Sequence, residues 1–444
     1  METLETRVIH RDLARTYPTL VRGEGIYLYD ADGNCYIDGS GGSAAVTAIG
    51  HAVPEVLEAM IAQASQLAYA PTHAFTTDAI ETCARLIIEE FAPPEFEKVW
   101  FVSGGSEATD NAIKMAIQYH RERGQGTKHL IIGRRQSFHG ATIAALAVGG
   151  NAGRRRPFAS ILPPAEHISA CNPYRDADPD ARADELERAI VQLGAENVAA
   201  FIAEPIVGAT LGAMPASPGY FARIREICDR HDVLFIADEV MTGFGRTGKP
   251  WGLNHWGVTP DLITCAKGIS GGYAPLGAVL AKPEFVHEIR SRSGSFVIGH
   301  TASGNPLSTA VGVAVLTYIL DNGLIENAAC VGTHFKRRLE TLAEHHDIIG
   351  DVRGEGLLLG VELVIDRDAK TPFPPGWGVG KRVGAETLAR GLVSYPGTGT
   401  YDGVIGDHLL YAPPLTITEA QVDDLIAILD ESLRVVRADL ARSC

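Results

Sequence analysis

The chain has 444 residues, 45% of them hydrophobic and 21% charged, with a formal net charge of −15. This is the composition of an ordinary globular protein, long enough for a large core and two domains, and it excludes a disordered or low-complexity chain. The negative charge argues against nucleic acid or an anionic membrane as partner, and no eighteen uninterrupted apolar residues occur to span a bilayer. The opening METLETRVIHRDLART carries charges throughout and reads as neither secretory signal nor anchor, so a cytoplasmic protein is expected. Seven cysteines, Cys35, Cys83, Cys171, Cys228, Cys265, Cys330 and Cys444, show no paired or CxxC spacing, which suits a reducing compartment and neither a disulfide frame nor a zinc site. The histidines form no HExxH-like pattern, and no metal is expected.

In chain order, short strands over 26–29 and 35–37 flank the turn-forming Asp30-Ala31-Asp32-Gly33-Asn34 and predict a hairpin, followed by a glycine-rich connector over 41–46. Helical periodicity covers 54–66, with Pro54 at its start and Val56, Leu57, Met60 and Ile61 on one face. The apolar run 98–102 leads through Ser103-Gly104-Gly105-Ser106 into a helix over 107–119. A strand, a glycine turn and a helix start make an anion site, because free backbone amides and the positive end of the helix dipole face the same point. The same loop also reads as a tight helix entry capped by Ser106.

A strand over 129–132 precedes Ser137-Phe138-His139-Gly140, where Phe138 taken alone reads as a core residue. Arg154-Arg155-Arg156 reads as a solvated cluster or as a place that attracts a substrate carboxylate. Three further apolar runs, 199–203, 233–237 and 262–266, are too short for helices and read as strands buried on both faces. They end at Glu204, Asp238 and Lys267, and Gly268, Gly271 and Gly272 let the chain turn closely after the lysine. In an open parallel sheet, ligands lie outside the carboxyl ends of the strands, so 103–106, Phe138, Glu204, Asp238 and Lys267 share one crevice.

A desolvated lysine becomes a nucleophilic amine able to form a Schiff base with an aldehyde, and a carboxylate beside a pyridine nitrogen keeps that nitrogen protonated. Pyridoxal phosphate uses both; either residue alone is as readily a structural ion pair, and Glu204 a hydrogen-bonded strand-end carboxylate. A further strand is expected over 277–280. From about residue 321 the pattern changes, with helices over 334–345 and 380–390, a strand over 356–363, and a last helix after Thr418, which has capping-box spacing to Gln421.

VSGGSEATDNAIKMA, DEVMTGFGRTG and AKGISGGYAPLGAV, with 267 − 238 = 29 residues between acid and lysine, resemble the signature of class III, or omega, aminotransferases. RGEGIYLYDADGNCYIDGSGG, GHTASGNP, RGEGLLLGVEL and APPLTIT extend that likeness over nearly the whole chain. The resemblance implies an α/β, fold type I pyridoxal-phosphate enzyme. Its large domain, 55–320, has a mostly parallel central sheet, and a smaller α+β domain is built from 1–54 and 321–444.

The same likeness implies that Lys267 carries the pyridoxal 5'-phosphate, that Asp238 supports the ring nitrogen, and that Phe138 stacks on the ring with His139 beside it. It places Gly105 and Ser106 on the phosphate, Val240 against the cofactor, the 41–46 loop on the substrate side, and Glu204 with Lys267 and Asp238 in the catalytic set, near the cofactor, where it bonds the ring-oxygen side or neutralises a substrate-binding arginine. Thr301 reaches the phosphate held by the other subunit, so a homodimer with active sites at the subunit interface, or a tetramer of such dimers, is expected.

The implied reaction moves an amino group from an amine or omega-amino acid to a keto acid of the pyruvate or 2-oxoglutarate type by a ping-pong mechanism. A racemase, aminomutase or decarboxylating enzyme of the same fold is the alternative. A nucleotide-binding dehydrogenase fails for want of a GxGxxG between strand and helix. The chain departs from its relatives at Ala302 and Asn305, where many carry an aromatic residue and a histidine. It departs again at Gly403, where many carry an arginine that holds a keto-acid carboxylate. Nothing over 395–407 is cationic, which leaves Arg22, one of Arg154 to Arg156, or neutral donors for that task.

Overall fold

The computed structural model describes residues 6–443; residues 1–5 of the opening segment and Cys444, the last of the seven thiols, lie outside the described residues. The short apolar runs become a seven-stranded sheet in the order Lys98–Val102, Gly277–Ala281, Leu262–Cys265, Leu234–Asp238, Val198–Ala203, Leu130–Arg134, Glu166–Ile168. Because side chains alternate across a strand, the two central strands divide cleanly between the two faces. Ala200, Ile202, Leu234 and Ile236 pack with Ala108, Ala112 and Met115 of the helix Gly105–Glu122. Phe201, Ala203, Phe235 and Ala237 pack with Tyr220, Phe221 and Ile224 of the helix Tyr220–His231. Phe221 and Phe235 stack with centroids 5.9 Å apart. Each of the buried leucine, isoleucine, methionine and phenylalanine side chains among them contributes roughly 1.5–3 kcal/mol by leaving water.

The sheet is mostly parallel, as expected, except that Gly277–Ala281 runs antiparallel to both neighbours. Periodicity cannot report strand direction, so the apolar run alone did not show this. The reversed strand begins at the edge where its neighbours end, with Gly277 opposite Val102.

The expected amino-terminal hairpin forms over Tyr27–Asp30 and Cys35–Asp38, its turn held by Asp30, which accepts from the amides of Asp32 and Asn34. Cys35–Asp38 is bordered by the distant strand Leu392–Val393, paired in parallel as Leu392 to Ile37 and Val393 to Asp38. A second, antiparallel sheet joins Ile349–Glu355, Leu358–Asp366, Asp407–Tyr411 and Tyr395–Thr398. The single strand expected over 356–363 is corrected here: Gly356, at φ 55°, is a turn between two strands. Glycine takes that left-handed conformation without the strain a side chain would bring.

The helix expected over 334–345 starts ten residues earlier, at Leu324. The last helix, Glu419–Ser443, has the expected reciprocal cap: Gln421 N donates to Thr418 Oγ1 at 3.3 Å, and Thr418 N donates to Gln421 Oε1 at 3.0 Å. Cys83, Cys171, Cys228 and Cys265 are buried free thiols, and Cys35 and Cys330 are exposed ones. Among the described residues, no single helix is long and apolar enough to cross a membrane.

Candidate active site

At the carboxyl edge of the central sheet lies a cavity of about 150 Å³, and the strand ends deliver its polar groups. Asp238 closes its strand, and its buried carboxylate is held from two sides. His139 Nδ1 donates to Oδ2 at 2.6 Å, and the Val240 amide donates to Oδ1 at 3.1 Å. His139 is itself buried, and its Nε2 has no partner, so Nδ1 carries the proton in this arrangement. Val240, beside Asp238, also lines the cavity.

Lys267 reaches the same cavity from the neighbouring strand end. Its backbone sits at φ 48°, a left-handed conformation uncommon for a residue with a side chain. Of the glycines expected to turn the chain here, Gly271 and Gly272 have positive φ, whereas at the first turn the lysine itself adopts it. Burial disfavours the ammonium more than the charges of Asp238 and Glu204 favour it, so the amine is pushed down to about 8 from its ordinary 10.5. A neutral minority of the amine therefore exists near physiological pH, far larger than for an ordinary lysine.

Glu204 is buried, and both its oxygens accept backbone amides: Oε1 from Phe138 at 2.9 Å and Oε2 from Gly208 at 3.1 Å. Burial raises its pKa above the ordinary carboxylate range. Arg134, buried beneath it, donates to the Glu204 carbonyl. The geometry thus makes Glu204 the group that fixes the Phe138 backbone at the cavity wall. Phe138 lines the cavity while the exposed Arg154 lays its guanidinium carbon 4.5 Å from the ring centroid.

Gly105 and Ser106 complete the wall at the start of the helix Gly105–Glu122, which has no side-chain cap, so its first amides are open to an anion. Ser106 Oγ accepts from Ala141 N at 3.0 Å and keeps its own proton free to donate. A Cβ at Gly105 would stand 2.9 Å from Val240 Cγ1. Gly105→Ala is therefore expected to lower stability by about 1–3 kcal/mol in a thermal melt. A second change, Val240→Ala, should recover most of that loss; a Gly105→Ala chain as stable as its parent would show that the contact is not tight.

Thr301 lies exposed in a turn outside this cavity wall, and the adjacent His300 Nε2 is 2.8 Å from Asn111 Nδ2 on the same Gly105–Glu122 helix. Arg22 is paired with Glu24 at 2.5 Å and stacked on Tyr29, away from the cavity. In the 41–46 segment, Ala44 and Ala45 are buried in one cluster with Ile206, against which Met241 packs. Gly140 of the Ser137-Phe138-His139-Gly140 segment lines the cavity too, as do Ile206 and Met241, which the sequence did not single out because neither carries a chemical handle. Among the described residues, no group of three or more His, Cys, Asp or Glu side chains is placed to hold a metal ion.

The model of the family described as aminotransferase class-III matches residues 9–433. An uncharacterized aminotransferase of Bacillus subtilis, YodT, is 38% identical over 99% of this chain and 100% of its own. A mitochondrial gamma-aminobutyrate transaminase 1 of Oryza sativa is 33% identical over 95% of this chain and 82% of its own. Among solved structures, a thermostable (S)-enantioselective omega-transaminase of Thermomicrobium roseum superposes with a TM-score of 0.89 at 36% identity, covering 95% of this chain and 93% of its own. A PLP-bound amine transaminase from an uncultivated Pseudomonas species superposes with a TM-score of 0.91 at 33% identity, covering 97% and 99%.

Proposed function

The chain belongs to the class-III aminotransferases, and from that premise we propose that it moves an amino group from an amine or omega-amino acid to a keto acid of the pyruvate or 2-oxoglutarate type. The transfer runs as two successive half-reactions with pyridoxal phosphate held in the cavity. The observation that carries this reading is the meeting of a lysine pushed down to about 8 with a histidine-buttressed aspartate in one cavity. The gamma-aminobutyrate transaminase and omega-transaminase relatives support the donor class.

The residues fit that cofactor by their donor chemistry: an amine for its aldehyde, a carboxylate for its ring nitrogen, a phenyl wall for its ring, and an uncapped helix start for its phosphate. When bound, pyridoxal phosphate supplies an aldehyde that takes up the amino group and a ring that withdraws electrons from the neighbouring carbon. Lys267 Nζ, neutral in part at pH 7, takes the proton from the amine-bearing carbon and returns it in the reverse half-reaction. His139 Nδ1 and Val240 N both donate to the Asp238 side chain and fix its orientation towards the cavity. Glu204 fixes the Phe138 backbone, and the first amides of the Gly105–Glu122 helix would hold the phosphate.

We further read the protein as a cytoplasmic homodimer. The exposed Thr301 beside the phosphate-loop helix supports a shared site, and the six free thiols among the described residues support a reducing compartment.

The test is the visible spectrum of the loaded protein before and after a panel of amines, with no keto acid present. A lasting loss of the visible band on adding an amine, restored by a keto acid, is the expected result. A band that persists while the substrate is consumed would overturn the reading in favour of a racemase, aminomutase or decarboxylating enzyme.

A further inference from the structure

We infer that Arg154 holds the carboxylate of the keto-acid acceptor at the mouth of the cavity. This rests on the aminotransferase reading, since only a keto acid brings a carboxylate to the second half-reaction.

The cavity wall bears two carboxylates, Glu204 and Asp238, against which an acceptor carboxylate needs a cation, and Lys267 is committed to the chemistry. Of the arginines nearby, Arg135 and Arg155 line a separate cavity with Glu166 and Gly403, and the others are engaged. Arg134 donates to the Glu204 carbonyl, Arg246 to the carbonyls of Leu357 and Pro413, and both are buried. Arg175 and Arg353 both pair with the buried Glu362.

Arg154 differs on each count. Its side chain is exposed, its guanidinium lies 4.5 Å from the ring centroid of the cavity-lining Phe138, and among the described residues no carboxylate pairs with it. A planar guanidinium resting on an aromatic face stays available for two-pronged contact with a carboxylate through its edge.

The segment carrying Arg154 also faces the loop that lacks a cation. Gly153 and Gly403 border a second cavity, of about 170 Å³, together with Gln136, whose Nε2 donates to the Gly399 carbonyl at 2.7 Å. Gly403 stands at φ 89°, a conformation an arginine there would adopt only under strain, and a Cβ would come 3.6 Å from Gln136 Cγ. The wall at residue 403 therefore offers no cation, and Arg154 follows Gly153 on the segment that borders the same cavity.

The experiment compares Arg154→Gln, Arg154→Lys and a neighbour control, Arg155→Gln, as loaded enzymes with one amine donor. Each is given pyruvate or an aldehyde acceptor without a carboxylate, and binding of unreactive propionate is followed by calorimetry. Arg154→Gln should raise KM for pyruvate roughly 10- to 100-fold, the range of a charge-assisted contact, with kcat little changed. It should also abolish propionate binding and leave the aldehyde reaction intact, while Arg154→Lys recovers part of the loss and Arg155→Gln behaves as the parent. Equal losses with pyruvate and aldehyde would show that Arg154 acts only by bracing Phe138, and unchanged pyruvate kinetics would show that it touches no substrate; either overturns the inference. A parent enzyme active with aldehydes and with no keto acid at all would overturn the keto-acid part of the proposed function, and this inference with it.

Discussion

Replacing Lys267 by methionine will abolish amino-group transfer and leave the cofactor-free protein more stable at neutral pH. The first effect follows from chemistry, because methionine has no amine to take up the cofactor aldehyde and no nitrogen to carry a proton. A loss of at least about 10⁴-fold is expected, the upper end of what one placed acid–base group contributes. The second effect follows from linkage. The lysine titrates at about 8 in the folded chain and at its ordinary 10.5 in the unfolded one.

Below pH 8 both states hold the proton, and the folded state bears the whole penalty of a desolvated ammonium. Between about 8 and 10.5 the unfolded chain binds more protons than the folded one, so stability rises with pH as that penalty is relieved. Methionine fills similar space at the same left-handed backbone position and removes the penalty, so the variant should melt higher at pH 7 than the parent, with the gap closing towards pH 10. Substantial turnover by Lys267→Met would remove the lysine from the mechanism. A lower melting point with a wild-type pH dependence would mean that the ammonium is well solvated in the fold.

Asp238→Asn is expected to lower kcat by at least about 10²-fold, the scale seen when one preorganised electrostatic partner is removed from a site. Asparagine removes the negative charge and also spoils the hydrogen bonding. The carboxylate accepts from His139 Nδ1 on one oxygen and from Val240 N on the other, whereas asparagine offers one acceptor and turns an NH₂ towards the second donor. Two donors then face each other in a buried place, which loosens Val240 and His139 as well as the charge. Steady-state kinetics at saturating cofactor separate the loss in kcat from weaker cofactor binding. An asparagine variant within a few-fold of the parent would show that no fixed charge is needed there.

The ends of the central strands were legible because each is a brief apolar run that stops at a polar residue. Such runs have one stable use in a chain of this size, a strand covered on both faces. Asp238 and Lys267 stood out for that reason, and the structure brings both to one cavity with Glu204, Phe138, His139, Val240, Gly105 and Ser106. The buttress from His139 to Asp238 was not legible, since 99 residues separate the partners and only the sheet order joins them. Nor was the preoccupation of both Glu204 oxygens with backbone amides, which depends on how the chain folds back after the strand. The contact between Arg154 and Phe138 lay hidden in what reads as a solvated basic run. The reversed direction of Gly277–Ala281 was invisible because an apolar run has no polarity.

The parallel seam between Leu392–Val393 and Cys35–Asp38 has a consequence for biosynthesis. The amino-terminal ribbon leaves the ribosome early, and the strand that borders it is not made until about 350 further residues have been added, a delay on the order of 20–70 s at ordinary elongation rates. Through that interval one edge of Cys35–Asp38 is an unpaired row of amides and carbonyls, the kind of surface to which other nascent chains add. A point change that weakens the seam should therefore show itself first as a lower soluble yield during fast expression, and slower translation should restore that yield before any change in the purified enzyme's activity can be measured.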